Sequence, residues 1–515
     1  MLVQVEREVG LLADSRLGRL VEPLTDRVWE PSDLLARSAR RMRRFADLGL
    51  ARGQRVFLHY GNRPEFFADL LAVWNLGGCA VPVDGRLTAF EVETLARAAQ
   101  PKISVWEHAP DPQLARALGA HGIAVVGLDE EGAGAPPPSR IELDDDALIL
   151  FTSGTTGDPK GVVHTHRSLR ARWIGLHQSI GIEAFRRSLC LLPTHFGHGL
   201  ICNCLYPWLF GQDLYILPPF RADLLLELGA LLDGHGITFL SSVPSVWRLA
   251  LKTSRPPETK SLLRVFCGSA PLSASLWRQI REWTGAREVL NAYGITETGS
   301  WLAGTTIGEF EPEDGLVGVA WGGVVRVTAS RDPAEPPGVA EPRAPGEPGY
   351  VWVNTPALMK GYLDRPDLTS EVVSQGWFLT GDIGLVDERG RLYLRGRERE
   401  EINKGGMKIY PGDVDAVIER FDATRDVCTF AVPDALHGES VGVAVVLEST
   451  HDEVIERLHA WCTQHLAAHQ LPQRWYWLDE IPRTSRGKVN RELVARRCAE
   501  LPQARLPRRR AALDR

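Results

Sequence analysis

Ala147-Leu148-Ile149-Leu150-Phe151-Thr152-Ser153-Gly154-Thr155-Thr156-Gly157-Asp158-Pro159-Lys160-Gly161 is the stretch on which the reading of this chain turns. Its apolar first third, Ala147 to Phe151, has the length and composition of a buried strand. Six small or hydroxylated residues follow, then Asp158, Pro159 and Lys160. Such residues let the backbone fold tightly enough for several N–H groups to converge, with hydroxyls as further donors. A polyphosphate asks this of a loop, together with one mobile cation, here Lys160. Pro159 stands where the P-loop motif needs a glycine before its lysine, which disfavours a P-loop NTPase. Taken alone, the stretch fits a phosphate cradle and a polar surface turn equally well.

The chain has 515 residues, more than one hydrophobic core sustains, so at least two domains are expected. A composition of 44% hydrophobic and 24% charged residues is that of a soluble globular protein. The formal charge of −6 gives no reason to expect nucleic acid, and Arg508 to Arg510 read as a solvated tail. Eight scattered cysteines offer no zinc spacing (Cys202 and Cys204 lack a second pair) and read as reduced core thiols. Met1 to Arg16 lacks the basic-then-apolar pattern of a signal peptide, and every long apolar stretch is interrupted. A cytoplasmic protein with no membrane span is expected.

Outward from the Gly/Thr stretch, short apolar runs alternate with amphipathic segments. Residues 31–50 pattern as a helix, Arg55 to His59 as a strand, Pro64 to Leu76 as a helix and Cys79 to Val83 as a strand. Phe90 to Ala99 is a further helix, and Ile103 to Trp106 and Ile123 to Val126 are strands. Beyond the loop come strands near Leu189 and at Leu214 to Ile216, Ile237 to Leu240, Leu263 to Phe266 and Glu288 to Leu290. Helices at Ala222 to Leu232, from Pro244, and at Ser273 to Thr284 separate them. This alternation predicts an α/β fold with parallel sheets covered by helices, and ligands at the C-terminal strand ends. Asp332 to Gly349 is a loop by composition, with shorter strands beyond it; from about Arg397 the texture changes to a small α+β unit.

Further polar motifs are expected to follow the strands directly. They are Gly268-Ser269-Ala270-Pro271, Asn291-Ala292-Tyr293-Gly294-Ile295-Thr296-Glu297, Trp377-Phe378-Leu379-Thr380-Gly381-Asp382, Gly396-Arg397, and Pro482-Arg483-Thr484-Ser485-Arg486-Gly487-Lys488. With Lys160-Gly161-Val162, Thr165-His166 and Met359-Lys360-Gly361-Tyr362, this ordered set resembles the adenylate-forming superfamily of acyl-CoA synthetases, adenylation enzymes and firefly luciferase. The resemblance spans nearly the whole chain. It implies a large N-terminal domain, residues 1–396, that includes a distorted β-barrel subdomain. It also implies a hinge at 397–401 and a small mobile C-terminal domain at 402–515.

Each carried-over role has a chemical reason. Thr152, Ser153, Gly154, Thr155, Thr156, Gly157 and Lys160 would hold the β- and γ-phosphates of ATP. Gly268, Ser269, Ala270, Pro271, Asn291, Ala292, Tyr293 and Gly294 would bind ATP or AMP, with Tyr293 as the face on which the adenine stacks. Asp382 resembles the carboxylate that accepts from both ribose hydroxyls, and Arg397 would donate to the same ribose. Thr296 would bond the α-phosphate and Glu297 would ligate Mg²⁺, which needs only one or two protein carboxylates beside phosphate oxygens. Lys488 would bridge the substrate carboxylate and the α-phosphate, offsetting the repulsion between two anions. Arg399 would be the hinge pivot, and Gly405 and Gly406 would line the passage for a pantetheine arm.

The resemblance places the acyl pocket behind Leu192 to Leu200, lined by His195, Phe196, His198, Val243, Pro244, Ile295 and Trp301. Gly197 stands where amino-acid-activating relatives carry Asp, so a non-amino acid, aliphatic or aryl, is expected. Phe196 occupies the place of a gating histidine; the histidines here stand one position before and two after it. No carrier domain follows Lys488, so the acceptor thiol is expected from CoA or the phosphopantetheine of a separate carrier protein. The shortness of the Asp332 to Gly349 loop leans towards CoA. Two other readings stay open: a luciferase-like oxygenase, and a nucleotide-binding homologue without catalysis.

Overall fold

The computed structural model describes residues 17–137, 141–152, 159–218, 222–305, 310–405, 407–434, 437–484 and 489–501. Three sheets organise them. The first runs Gly361–Tyr362, Lys160–Thr165, Asp146–Thr152, Cys79–Pro82, Arg55–Leu58, Ile103–Trp106, Ala124–Gly127. From Asp146–Thr152 onward its strands are parallel, and the apolar runs of the inner strands Cys79–Pro82 and Arg55–Leu58 are buried on both faces. Lys160–Thr165, a strand the sequence reading did not assign, folds back antiparallel on Asp146–Thr152. Hydrophobic pattern carries no strand direction; the short connection between the two strands sets it.

A second sheet of 14 strands among the described residues has a parallel centre and an antiparallel wing. Glu288–Ile295, Arg264–Gly268, Phe239–Ser242, Arg187–Cys190, Asp213–Ile216 and Leu20–Glu22 are the parallel members. Ser300–Gly304, Leu316–Ala320, Leu392–Arg397, Trp377–Val386, Gly349–Asn354 and Val324–Thr328 continue it antiparallel. This wing occupies the place of the expected barrel subdomain, and among the described residues its strand path is open.

One hydrophobic core joins the two sheets through the helices Pro64–Asn75 and His166–Ile180. Pro64 starts the first at a position where a missing N–H costs nothing. Thr165 caps the second by accepting from the Ser168 amide at 3.1 Å, and Gly181 ends it at φ +65°. The third sheet, Met407–Ile409, Ile402–Lys404, Gly438–Leu447, Thr424–Asp434 and Arg474–Trp477, has cores of its own under the helices Pro411–Glu419, Asp452–His465 and Arg491–Ala499. Arg248 to Glu419, Arg331 to Glu398, and Arg395 to Asp413 at 3.3 Å link the large lobe to the hinge and small lobe.

Two expectations need correction. The helix expected at Ala222 to Leu232 is two, Ala222–Leu226 and Leu228–His235. The break brings Gly229 against the Arg255 carbonyl, where a Cβ would sit at 2.1 Å, and sends its N–H to Ser254 Oγ at 3.0 Å. The polar motifs expected after strands lie partly inside them: Asn291 to Ile295 and Trp377 to Asp382 are strand residues, and Gly396 and Arg397 end a third strand.

Candidate active site

The phosphate-loop candidate is closed at its base by the facing strand pair Thr152 and Lys160, where Thr152 Oγ1 donates to the Lys160 carbonyl at 3.4 Å. Ser153, Gly154, Thr155, Thr156 and Gly157 lie outside the described residues, as do Gly406 and Lys488. Lys160 directs its ammonium over the Tyr362 ring, 5.7 Å from the centroid. The Tyr362 hydroxyl in turn donates to Glu297 Oε1 at 2.8 Å. Burial and then the Glu297 charge hold that phenol protonated, far above its ordinary range. The cation expected at the phosphates and the carboxylate expected at the metal therefore flank one tyrosine.

Glu297 sits on a 3₁₀ turn, Thr296–Thr298, held by its carbonyls. His164 Nε2 meets the Thr296 carbonyl at 2.8 Å, which fixes the N–H on Nε2 because a carbonyl only accepts. Burial lowers the His164 pKa to about 4, so the ring is neutral at pH 7. On the other side Arg172 donates to the Thr298 carbonyl from Nε at 3.1 Å and Nη2 at 2.8 Å, and to the Trp321 carbonyl at 2.7 Å. This guanidinium is fully buried, and desolvation lowers its pKa to about 10. The Met359 amide closes the turn by donating to the Glu297 carbonyl at 2.7 Å.

Three distant motifs meet at Asp382. Tyr293 donates its hydroxyl to Oδ2, and Arg397 Nε lies 2.8 Å from Oδ1. Asp382 and Arg397 face each other across adjacent strands, so register sets the pair. Arg397 also donates to the Thr380 carbonyl at 2.9 Å, and the Asp382 charge raises its pKa. Burial, then Asp382, pushes the Tyr293 phenol well above its ordinary value. A carboxylate has about four acceptor positions, so two remain for a vicinal diol. Gly294 is required here: at the bulge beside Tyr293 a Cβ would lie 2.0 Å from the Ser300 carbonyl. Gly268 faces Ala292 across the next pair, where a Cβ would meet the Ala292 carbonyl at 2.2 Å.

Other candidates are placed less directly. Asn291 is buried and donates to the Leu316 carbonyl at 2.7 Å, which pins the strands. Ala270 is half-buried and Pro271 exposed, just beyond Ser269. Val243, Pro244 and Trp301 are buried and Ile295 and Phe196 half-buried. His195 Nε2 stands 3.4 Å from Asp84 Oδ2, and His198 bonds to Ser241 and Ser269. Arg399 lies in the 3₁₀ turn Glu398–Glu400, and Gly405 turns at φ +59° against His437.

Tyr362, His164, Arg172 and Ser241 were not among the sequence candidates. Arg172 left a signal: it shares an apolar helix stripe with Leu169, Trp173 and Leu176, where a charge needs buried partners.

Comparison with known proteins follows this geometry. The model for AMP-binding enzymes matches residues 29–363, and that for the AMP-binding enzyme C-terminal domain matches residues 413–488. The chain is 29% identical to an oxalate–CoA ligase of Arabidopsis thaliana, over 91% of this chain and 93% of that protein. It is 30% identical to a feruloyl-CoA synthase of Amycolatopsis, over 90% of this chain and 93% of that one. ATP-bound MatB from Rhodopseudomonas palustris superposes with a TM-score of 0.83 at 28% identity, covering 97% of this chain and 99% of that one. With most of its length matched by these models, the chain belongs to the AMP-binding enzyme family.

Proposed function

We propose that the chain joins a non-amino carboxylic acid to ATP as an acyl-adenylate, with release of pyrophosphate, and then passes the acyl group to the thiol of CoA. The observation that carries this reading is the bonded group Tyr293, Asp382 and Arg397, assembled from three separate motifs beside Glu297, Tyr362 and Lys160. Asp382 takes the ribose diol and Arg397 holds that carboxylate charged and oriented. Lys160 and the loop it closes receive the departing phosphates. We assign Mg²⁺ to Glu297: a lone carboxylate suits an ion that shares its shell with phosphate oxygens. When bound, Mg²⁺ neutralises phosphate charge.

Lys488 is our candidate for the group that bridges acid and α-phosphate, carried by a lobe that turns about residues 397–401. CoA is favoured over a carrier protein because the similar proteins named above include CoA ligases. The eight buried free thiols suit a reducing compartment, and we place the chain in the cytoplasm. Among the described residues no helix is long and apolar enough to cross a membrane.

The test is acid-dependent pyrophosphate release across a broad acid panel, with CoA added afterwards. Lys488→Ala is expected to lose adenylation by at least ~10²-fold while transfer from a supplied acyl-adenylate largely survives. Equal loss of both half-reactions in a folded variant would refute the role given to Lys488.

A further inference from the structure

His198 is the first residue of a π-helical segment, His198–Leu205, a rare geometry that tends to mark functional positions. Its ring reaches two adjacent parallel strands at once. Nε2 lies 2.6 Å from Ser241 Oγ, within Phe239–Ser242, and Nδ1 lies 2.7 Å from Ser269 Oγ, one residue past Arg264–Gly268. Ser241 is fully buried, whereas Ser269 is half-buried and held at φ +65° without being glycine.

A neutral imidazole has one N–H and one lone pair. One serine therefore accepts from the ring and keeps its own O–H to donate; the other donates to the ring and keeps lone pairs to accept. Neither hydroxyl has a second partner among the described residues. The relay carries hydrogen-bonding capacity from the protein interior to Ser269, at the junction between the expected nucleotide segment and the expected acyl lining.

Aromatic rings pack beside the relay. Trp301 packs edge-on to His198 with centroids 5.6 Å apart, and its other neighbours are Phe266 at 4.8 Å and Phe239 at 6.0 Å. Trp321 stacks on Phe266 at 5.5 Å. With these rings packed on one another beside His198, a short acid would end at the relay.

Resting on the ligase reading above, we propose that the activated acid is short and carries a second oxygen function at its far end, received by the His198–Ser241–Ser269 relay. A site built to hydrogen-bond such an oxygen strongly rejects the analogue that lacks it, because the site's polar groups are then left unpaired.

Pyrophosphate exchange is to be measured with matched acids: butanoate against 3-hydroxybutanoate, pentanoate against succinate, and octanoate. The oxygenated member of at least one pair is expected to lead in kcat/KM by ~100-fold or more, mainly through KM. His198→Phe should bring that ratio to within a few-fold of one, and Ser269→Ala should lower it partway. Circular dichroism and thermal melting establish that each variant is folded. Apolar acids turned over as well as their oxygenated counterparts would overturn the polar-end assignment and leave the ligase reading standing. A folded His198→Phe variant with an unchanged ratio would overturn it too, since a merely structural histidine moves the melting temperature alone. Absence of exchange with every acid of a broad panel would overturn the ligase reading itself, and this inference with it.

Discussion

Replacing Arg172 by methionine tests whether the turn bearing Glu297 is held from behind. The charged form is disfavoured where it sits: burial lowers its pKa from 12.5 to about 10, a cost on the order of 3 kcal/mol. Its three bonds to the Thr298 and Trp321 carbonyls oppose that cost, and hydrogen bonds from a charged donor contribute roughly 1.5–3 kcal/mol each. Arg172→Met removes both terms, so the net loss of stability is roughly 1–6 kcal/mol. Two buried carbonyls would also be left without their donors, and the Thr298 carbonyl lies one residue from Glu297.

Freed on that side, the turn no longer presents the Glu297 carboxylate in one position. The Mg²⁺ requirement for pyrophosphate release is then expected to rise by ~10-fold or more, the scale seen when groups supporting a metal ligand are removed. Arg172→Lys keeps one charged donor and should recover part of both effects. Urea unfolding and a Mg²⁺ titration at saturating ATP read the two consequences separately. Unchanged stability and an unchanged Mg²⁺ requirement in Arg172→Met would refute the clamp. Lower stability with an unchanged requirement would reduce Arg172 to a packing role.

Other consequences follow from the same structure. His59, His164 and His166 are buried, with pKa values lowered by burial to about 3, 4 and 3. Their stabilisation is complete above the ordinary imidazole value and is lost as pH falls below it towards the folded values. At pH 5.5 each loses on the order of 1 kcal/mol, so urea unfolding should show roughly 3–4 kcal/mol less stability than at pH 7.5, and a flat profile would contradict their burial. Asp382→Asn removes the charge shared by Tyr293 and Arg397 and should raise KM for ATP by ~10–100-fold, which steady-state kinetics checks. A double-mutant cycle of Arg248→Met and Glu419→Gln, read by small-angle scattering and proteolysis at the hinge, should show coupling and a larger open fraction in either single variant.

The alternating architecture was legible because its strands are short apolar runs bounded by Gly, Pro and charged residues; Ile103 to Trp106 falls on its expected bounds. Strand direction was not, as Lys160–Thr165 shows. Nor was the strand character of Asn291 to Ile295, whose Asn, Gly and alternating small residues suit a loop until neighbours pair with them on both sides. The candidate site divides along the same physical line. Tyr293, Asp382 and Arg397 could be found by motif because their spacing within each motif is local, but their mutual bonding depends on register between strands. Arg172 could have been found by a different rule, since a charge on an apolar helix stripe must answer to buried acceptors. Ser241 obeys no such rule: it reads as an ordinary small strand residue, and its bond to His198 spans 43 positions of sequence. Local pattern shows what a residue does for its own element; what it does for a site is set by contacts that exist only after the sheets have formed. Substrate preference belongs to the second kind of information: in our proposal it rests on a histidine bonded to two serines that lie far from it in the sequence.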